Sequence, residues 1–139
     1  MKISGSYKKV GRWFAAEVPL LLISTQARTK KELVDMIVDA LKAIVDSGEF
    51  KADVSLIGDN GIIVGAKAGE KLLLATALRQ QRAASQKTVR DVALELGSNS
   101  PNSYARYESG KVKINFDKFS QLLSAINGCE PVLSIIIKP

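Results

Sequence analysis

Polar and apolar residues alternate from Met1 to Tyr7. Ile3 and Tyr7 fall on one side and Lys2, Ser4 and Ser6 on the other, the period-two signature of a half-buried strand. Residues 8–12, KKVGR, predict a turn, and Trp13–Val18 returns as the partner strand of a hairpin. Pro19 interrupts the pairing, and Leu20–Thr25 predicts a third, mostly buried strand. The period then changes. Leu33, Val34, Ile37, Leu41, Ile44 and Val45 recur at helical spacing, behind a Thr29 cap with Glu32 as its capping-box partner and ahead of a Ser47-Gly48 stop. Val54–Ile57 and Ile62–Ala66 flank Gly58-Asp59-Asn60-Gly61, whose Asn-Gly pair tolerates the positive φ of a hairpin turn. The predicted order is β-β-β-α-β(-β), an α+β arrangement in which one helix covers one face of a sheet.

Ala66–Lys71, small and charged, predicts a linker, and beyond it the period-two pattern gives way to helices. Leu72–Ser85 predicts a helix with Leu74, Ala77 and Leu78 on its apolar face and Arg79 and Arg82 near its end. Thr88 opens a second helix with Asp91 as capping partner, Val92, Ala93 and Leu96 buried, and Gly97 closing it. After a Ser98-Asn99 turn, Ser100 caps a third helix with Pro101 just inside it, and Glu108-Ser109-Gly110 ends it. Tyr104 and Tyr107 are placed to pack inward. Phe116, Phe119, Leu122, Leu123 and Ile126 outline a fourth helix. Residues 132–138, VLSIIIK, follow Gly128-Cys129-Glu130-Pro131 as a closing strand, with Cys129 expected as a buried filler beside it.

Four segments follow: an α+β domain over 1–66, a linker over 67–71, an all-α domain over 72–128 and a terminal strand over 129–139. In 139 residues each domain is small enough to be marginal on core burial alone, so a partner chain is expected to help. A lone apolar strand either joins the first sheet or pairs with its twin in a second copy, and the twin is favoured here. Val132, Leu133, Ile135, Ile136 and Ile137 would carry that homodimer or higher oligomer.

Composition narrows the chemistry. The chain has no His and one Cys, which excludes His-dependent triads, His-ligated zinc, an internal disulfide and thiolate-only metal cages. No metal, cofactor or catalytic residue is expected. Asp35, Asp39 and Asp46 lie among Lys30, Lys31 and Lys42 and read as a solvated face. No apolar run reaches membrane-spanning length and no secretory leader is visible, so a cytoplasmic protein is expected. Residues 1–70 carry ten Lys/Arg against nine Asp/Glu, whereas 71–139 carry ten against five. That basic excess is either an ordinary solvated surface or a footprint for phosphates, and it coincides with a helix, a tight turn and a second helix.

A short helix, a turn and a helix rich in Asn, Ser, Arg and Tyr is the geometry that carries a helix N-terminus into a DNA major groove. Asn102, Ser103 and Arg106 fall on the first turns, where Arg pairs with guanine and Asn with adenine. Asn and Ser are also ordinary helix-start residues. Lys87, Lys111 and Lys113, near helix ends, are candidate phosphate contacts or solvated lysines, and Thr88 and Ser100 complete the candidate DNA-binding set. Over about Leu74–Gly128, the residues Thr88, Ala93, Leu96-Gly97, Ser100, Arg106, Glu108 and Gly110-Lys111 resemble the Cro/repressor-type (XRE) helix-turn-helix family. The resemblance implies a structural ion pair between Arg82 and Glu108. In the first half, Gly11–Pro19 followed by Ser24–Leu33 resembles the HicB antitoxin family. That likeness implies a partial ribonuclease-H-like fold without catalytic residues, which caps a small mRNA-cleaving HicA-like toxin.

Together these readings point to an antitoxin that masks such a toxin sterically and binds operator DNA of its own operon as a dimer. A stand-alone regulator whose first half senses a small molecule or oligomerises is the second reading. A nuclease-like enzyme, the third, would need acidic clusters and a metal, and only Asp53 and Asp59 come near that, Asp59 being explained by its turn.

Overall fold

The computed structural model describes residues 1–131. The closing strand and its proposed interface residues Val132, Leu133, Ile135, Ile136 and Ile137 lie outside the described residues. The chain divides into two compact units, Met1–Leu73 and Leu74–Pro139.

The first unit is a five-stranded antiparallel sheet of order β3-β2-β1-β5-β4. Its strands are β1 (Ile3–Val10), β2 (Trp13–Val18), β3 (Ile23–Ala27), β4 (Lys51–Ile57) and β5 (Gly61–Ala68). Helix α1 (Lys30–Val45) connects the two edge strands and packs on both. Alternation does what the sequence predicts. Ile3, Tyr7, Ala16, Val18, Ile23, Ala27, Ile62 and Val64 are buried, as are Leu33, Ile37, Leu41 and Val45 of α1, while Val34 and Ile44 are half-buried at the edges of the helix stripe. Gly5 sits in the tightest place. A Cβ there would meet the Glu17 carbonyl oxygen at 2.5 Å, so only glycine lets β1 and β2 approach.

Turn chemistry moves several boundaries. β1 runs through Lys8–Val10, and Val10 pairs with Trp13, so the turn is Gly11-Arg12 alone and not KKVGR. Positive φ at Gly11, the first of two loop residues, is the type II′ requirement, and this tight turn matches strand twist. After Pro19 the chain makes a single 3₁₀ turn, Pro19–Leu21, and Leu22 takes a left-handed conformation, which delays the third strand to Ile23. The Thr29 hydroxyl caps α1 by accepting the Glu32 amide. The Glu32 carboxylate accepts the Arg28 amide and not that of Thr29, so the predicted box is one residue out of place. The helix stops at Asp46, left-handed with its N–H on the Lys42 carbonyl, two residues before the expected glycine. In the second hairpin Ile57 pairs with Gly61 around a three-residue loop, and the positive φ belongs to Gly58, not to the Asn60-Gly61 pair.

The expected linker over 67–71 is not one. β5 continues through Ala68, Gly69 turns at φ +80°, and helix α2 (Glu70–Ala84) starts at once. The division between units falls inside α2, between Leu73 and Leu74. Small charged residues there read as loop composition, but Ala, Glu and Lys are equally good helix formers once a glycine has supplied the bend.

The second unit adds α3 (Val89–Glu95), α4 (Asn102–Glu108) and α5 (Phe116–Asn127). Its buried apolar residues are Leu74, Ala75, Ala77, Leu78, Val92, Ala93, Tyr104, Tyr107, Ile114, Phe119, Leu122, Leu123 and Ile126, with Leu96 half-buried and Thr76 the buried polar residue among those described. Phe116 belongs to the fourth helix as expected, whereas the burial expected of Cys129 fails. Phe116 is 53% exposed because it is the first residue of α5, one position after the Asn115 cap that accepts the Lys118 amide at 2.8 Å. Cys129 is exposed, beyond the left-handed Gly128 that ends α5. Among the described residues no helix is long and apolar enough to cross a membrane.

Candidate nucleic-acid interface

Helix α3 is delimited at both ends by bonds that its own sequence supplies. Thr88 Oγ1 accepts the Asp91 amide at 3.1 Å while Asp91 Oδ2 accepts the Thr88 amide at 2.8 Å, a complete capping box. The backbone and side-chain bonds from Thr88 hold the Asp91 carboxyl below the usual aspartate range. At the other end the Ser98 amide reaches the Ala93 carbonyl and the Gly97 amide the Leu94 carbonyl, with Gly97 at φ +82°. That is the Schellman arrangement, and it turns the chain toward α4 within a few residues.

Helix α4 starts differently from expectation. No side chain caps it, so Ser100 does not serve as a side-chain cap. Its carbonyl is the acceptor instead, taking both the Ser103 amide at 3.2 Å and the Ser103 hydroxyl at 2.8 Å, while Ser98 Oγ accepts the Ser100 amide at 3.2 Å. The Ser103 hydroxyl proton is therefore engaged by its own turn and is not presented for base reading. Proline at position 101 explains the shift, since it supplies the entry φ without a cap.

The face that α4 turns inward is fixed by a charged network. Arg82 Nε and Nη2 contact Glu108 Oε1 and Oε2 at 2.6 and 3.1 Å, a bidentate pair. Its Nη1 donates to the Lys87 carbonyl at 3.0 Å, and the buried Tyr104 hydroxyl donates to Glu108 Oε1 at 2.7 Å. Arg79 donates to the Glu108 carbonyl at 3.0 Å and to Thr76 Oγ1 at 2.9 Å. The structure thus brings together the Arg82 and Glu108 that the XRE resemblance pairs, and adds Arg79 and Tyr104, whose roles no local pattern announces. The Glu108 hydrogen bond raises the Arg82 pKa, and burial pushes the Tyr104 hydroxyl up, so both keep their protons.

With Tyr104, Tyr107 and Glu108 turned inward, Asn102, Arg106 and Ser109 form the exposed stripe at positions i, i+4 and i+7. The Arg106 guanidinium lies over the Tyr107 ring, 4.7 Å from its centroid, with Nη2 donating to the Tyr107 hydroxyl at 2.8 Å. Lys111 and Lys113 are exposed in the segment after α4. Lys87 has one of its three ammonium donors engaged inside the unit. Its ammonium donates to the Ala125 carbonyl at 3.0 Å, tying the loop before α3 to the last turn of α5. Arg90, exposed on the first turn of α3 two residues after the cap, is a cation that the sequence reading passed over; its position next to Thr88 was the available signal.

No curated protein and no solved structure matches the chain. Residues 78–133 do match a protein-family model, described as Helix-turn-helix. The α3-turn-α4 geometry and this match agree, and the second unit carries an XRE-type helix-turn-helix, a DNA-binding domain.

Proposed function

We propose that the chain is a sequence-specific repressor that reads operator DNA with α4 as a homodimer, and that it is the antitoxin of a toxin–antitoxin pair. One observation carries the DNA part: the buried Arg82–Glu108–Tyr104 network fixes the inner face of α4 and leaves Asn102 and Arg106 outward on one stripe. Such a stripe meets base edges when a helix enters the major groove, and Thr88, Arg90, Lys111 and Lys113 flank it as phosphate contacts. Ser100 joins them through its exposed turn.

Arg106→Ala tests this. Binding to a selected operator duplex and to a random duplex is measured by fluorescence anisotropy across a salt series. The ratio of the two affinities falls by about 1–3 kcal/mol, roughly 5- to 150-fold, while random-duplex binding changes little. An unchanged ratio removes base reading by Arg106.

The antitoxin part is supported by the HicB-like run in the first half and by the element order of the first unit, three strands, a helix and two strands. In this proposal the first unit has a partial ribonuclease-H-like frame, makes and breaks no bond, and covers the active surface of a small HicA-like RNA-cleaving toxin. Co-expression with the small reading frame adjacent to this gene checks it. Rescue of growth and co-purification are expected, and failure of both leaves a stand-alone regulator.

A further inference from the structure

The first unit has nearly balanced charge overall, but its charges are not evenly spread. At one end lie the β1–β2 hairpin tip and the β3–α1 loop, brought side by side because Phe14 pairs with Ala27. Lys8, Lys9, Arg12, Arg28, Lys30 and Lys31 are all exposed there, and none of the six forms an ion pair among the described residues. The carboxylates at this end are fewer: Glu32, which accepts the Arg28 amide, Asp35 beside it on α1, and Asp59 in the adjoining β4–β5 turn.

Aromatic rings are interleaved with these cations. The Arg28 guanidinium lies 5.1 Å from the Trp13 ring centroid, Lys9 lies 5.9 Å from that of Phe14, and Lys30 lies 5.8 Å from that of Tyr7. Phe14 and Tyr7 are themselves neighbours at 6.4 Å. Trp13 stays 40% exposed despite its size. The second unit's recognition stripe has no share in this cluster.

We propose that this end of the first unit is a binding surface for single-stranded nucleic acid. The cations track the phosphate backbone, and Trp13 stacks on an unpaired base. The exposed ring face decides between ligands of the same charge. A duplex keeps its bases stacked internally, and an acidic peptide offers no planar ring to Trp13, so neither uses the aromatic half of the surface. Polarity is set as well. Glu32 and Asp35 border the groove on the Met36 side of Trp13, which steers phosphates to the hairpin side, over Lys9 and Arg12.

Trp13 is the sole tryptophan of the chain, so its emission reports on this surface alone. The full-length protein is titrated with a 12-nucleotide oligouridylate, with a duplex of the same length, and with polyglutamate, over a salt series. Oligouridylate is expected to quench Trp13 with steep salt dependence, and the other two to leave its emission unchanged. The triple variant Lys9→Ala, Arg12→Ala, Lys30→Ala, if each cation meets one phosphate, weakens oligouridylate binding on the order of a hundredfold at 0.1 M salt and lowers the salt slope by about 2. Trp13→Ala, followed with a labelled oligonucleotide, costs about tenfold. The triple variant keeps the wild-type affinity for duplex DNA, measured by anisotropy. Absence of quenching, equal quenching by duplex or polyglutamate, or a triple variant with unaltered oligouridylate binding overturns the proposal. A wild-type chain that binds oligouridylate but no duplex refutes the repressor reading and leaves this one standing.

Discussion

The Arg82–Glu108 pair makes a sharp energetic prediction. Glu108 is 9% exposed in its side chain and Arg82 22%, so both charges are largely removed from water. Replacing Glu108 with Ala removes both carboxylate contacts to Arg82 and the acceptor of the buried Tyr104 hydroxyl, leaving Arg82 only the Lys87 carbonyl among the partners described above. Breaking a buried pair from one side costs about 3–5 kcal/mol, because the surviving charge stays desolvated without its counter-charge. The residual exposure of Arg82 lets water reach it, which places the expected loss near the lower figure, about 3 kcal/mol. At roughly 4–8 °C per kcal/mol for a unit of this size, the helical unit melts on the order of 12–24 °C lower.

The assay follows from the division of the chain. Trp13 lies in the sheet unit, so its fluorescence follows that unit, while far-UV circular dichroism at 222 nm sums α1 with the helices of the second unit, and a change there with Trp13 emission unmoved belongs to the second. Urea titrations of Glu108→Ala are expected to shift the second signal. The decisive partner is the double variant Arg82→Met, Glu108→Leu, in which no charge is left stranded. It recovers the part of the loss due to the stranded charge, while the Tyr104 hydroxyl stays without its carboxylate acceptor; additive effects would instead deepen the loss. A Glu108→Ala loss below about 1 kcal/mol, or a double variant less stable than both singles, refutes the view that this network fixes α4.

Three further outcomes follow from local geometry. The folded-state pKa of Asp91 is depressed, so its capping contribution is present above the ordinary aspartate range and is lost as pH falls through the lower folded value; an NMR titration of the Thr88 amide reports it. Gly5→Ala forces a Cβ within 2.5 Å of the Glu17 carbonyl, a backbone atom that cannot move aside, and should destabilise the sheet unit by about 1–3 kcal/mol in urea, read from Trp13. Gln86 ends α2 with φ +55° in a Schellman-type turn, its amide on Ala83 and that of Lys87 on Arg82, so Gln86→Gly should stabilise the helical unit by about 0.5–1 kcal/mol, read as a higher urea midpoint.

What the sequence made legible is what depends on near neighbours. The Thr88–Asp91 box, the Gly97 stop and the inward face of Tyr104 and Tyr107 were all readable because capping and helical periodicity act over three to five residues. Turn boundaries were less so. Gly11 and Gly58 take positive φ where the composition of KKVGR and the Asn-Gly pair pointed elsewhere, since strand pairing across the hairpin, not the loop residues alone, selects the turn. Asp46, Gln86 and Leu22 all adopt left-handed backbone without being glycine, and no sequence rule marks them.

Two side chains have partners far along the chain that no local pattern announces. Lys87 looks like a phosphate contact because it precedes a capped helix, yet the carbonyl that holds it belongs to Ala125, 38 residues away. Arg79 looks like a solvated cation at the end of α2, yet its guanidinium closes α4 at Glu108, 29 residues on. Arg79 and Arg82, spent on contacts inside the helical unit, count in the net charge while contributing to no proposed DNA contact. The basic excess of the second half therefore overstates the recognition surface. In the proposed complex the charged phosphate contacts are Arg90, Lys111 and Lys113, with Arg106 on a base edge, and the salt dependence of duplex binding should reflect about three phosphates per subunit, a slope of about −2.7 instead of the value the net charge suggests.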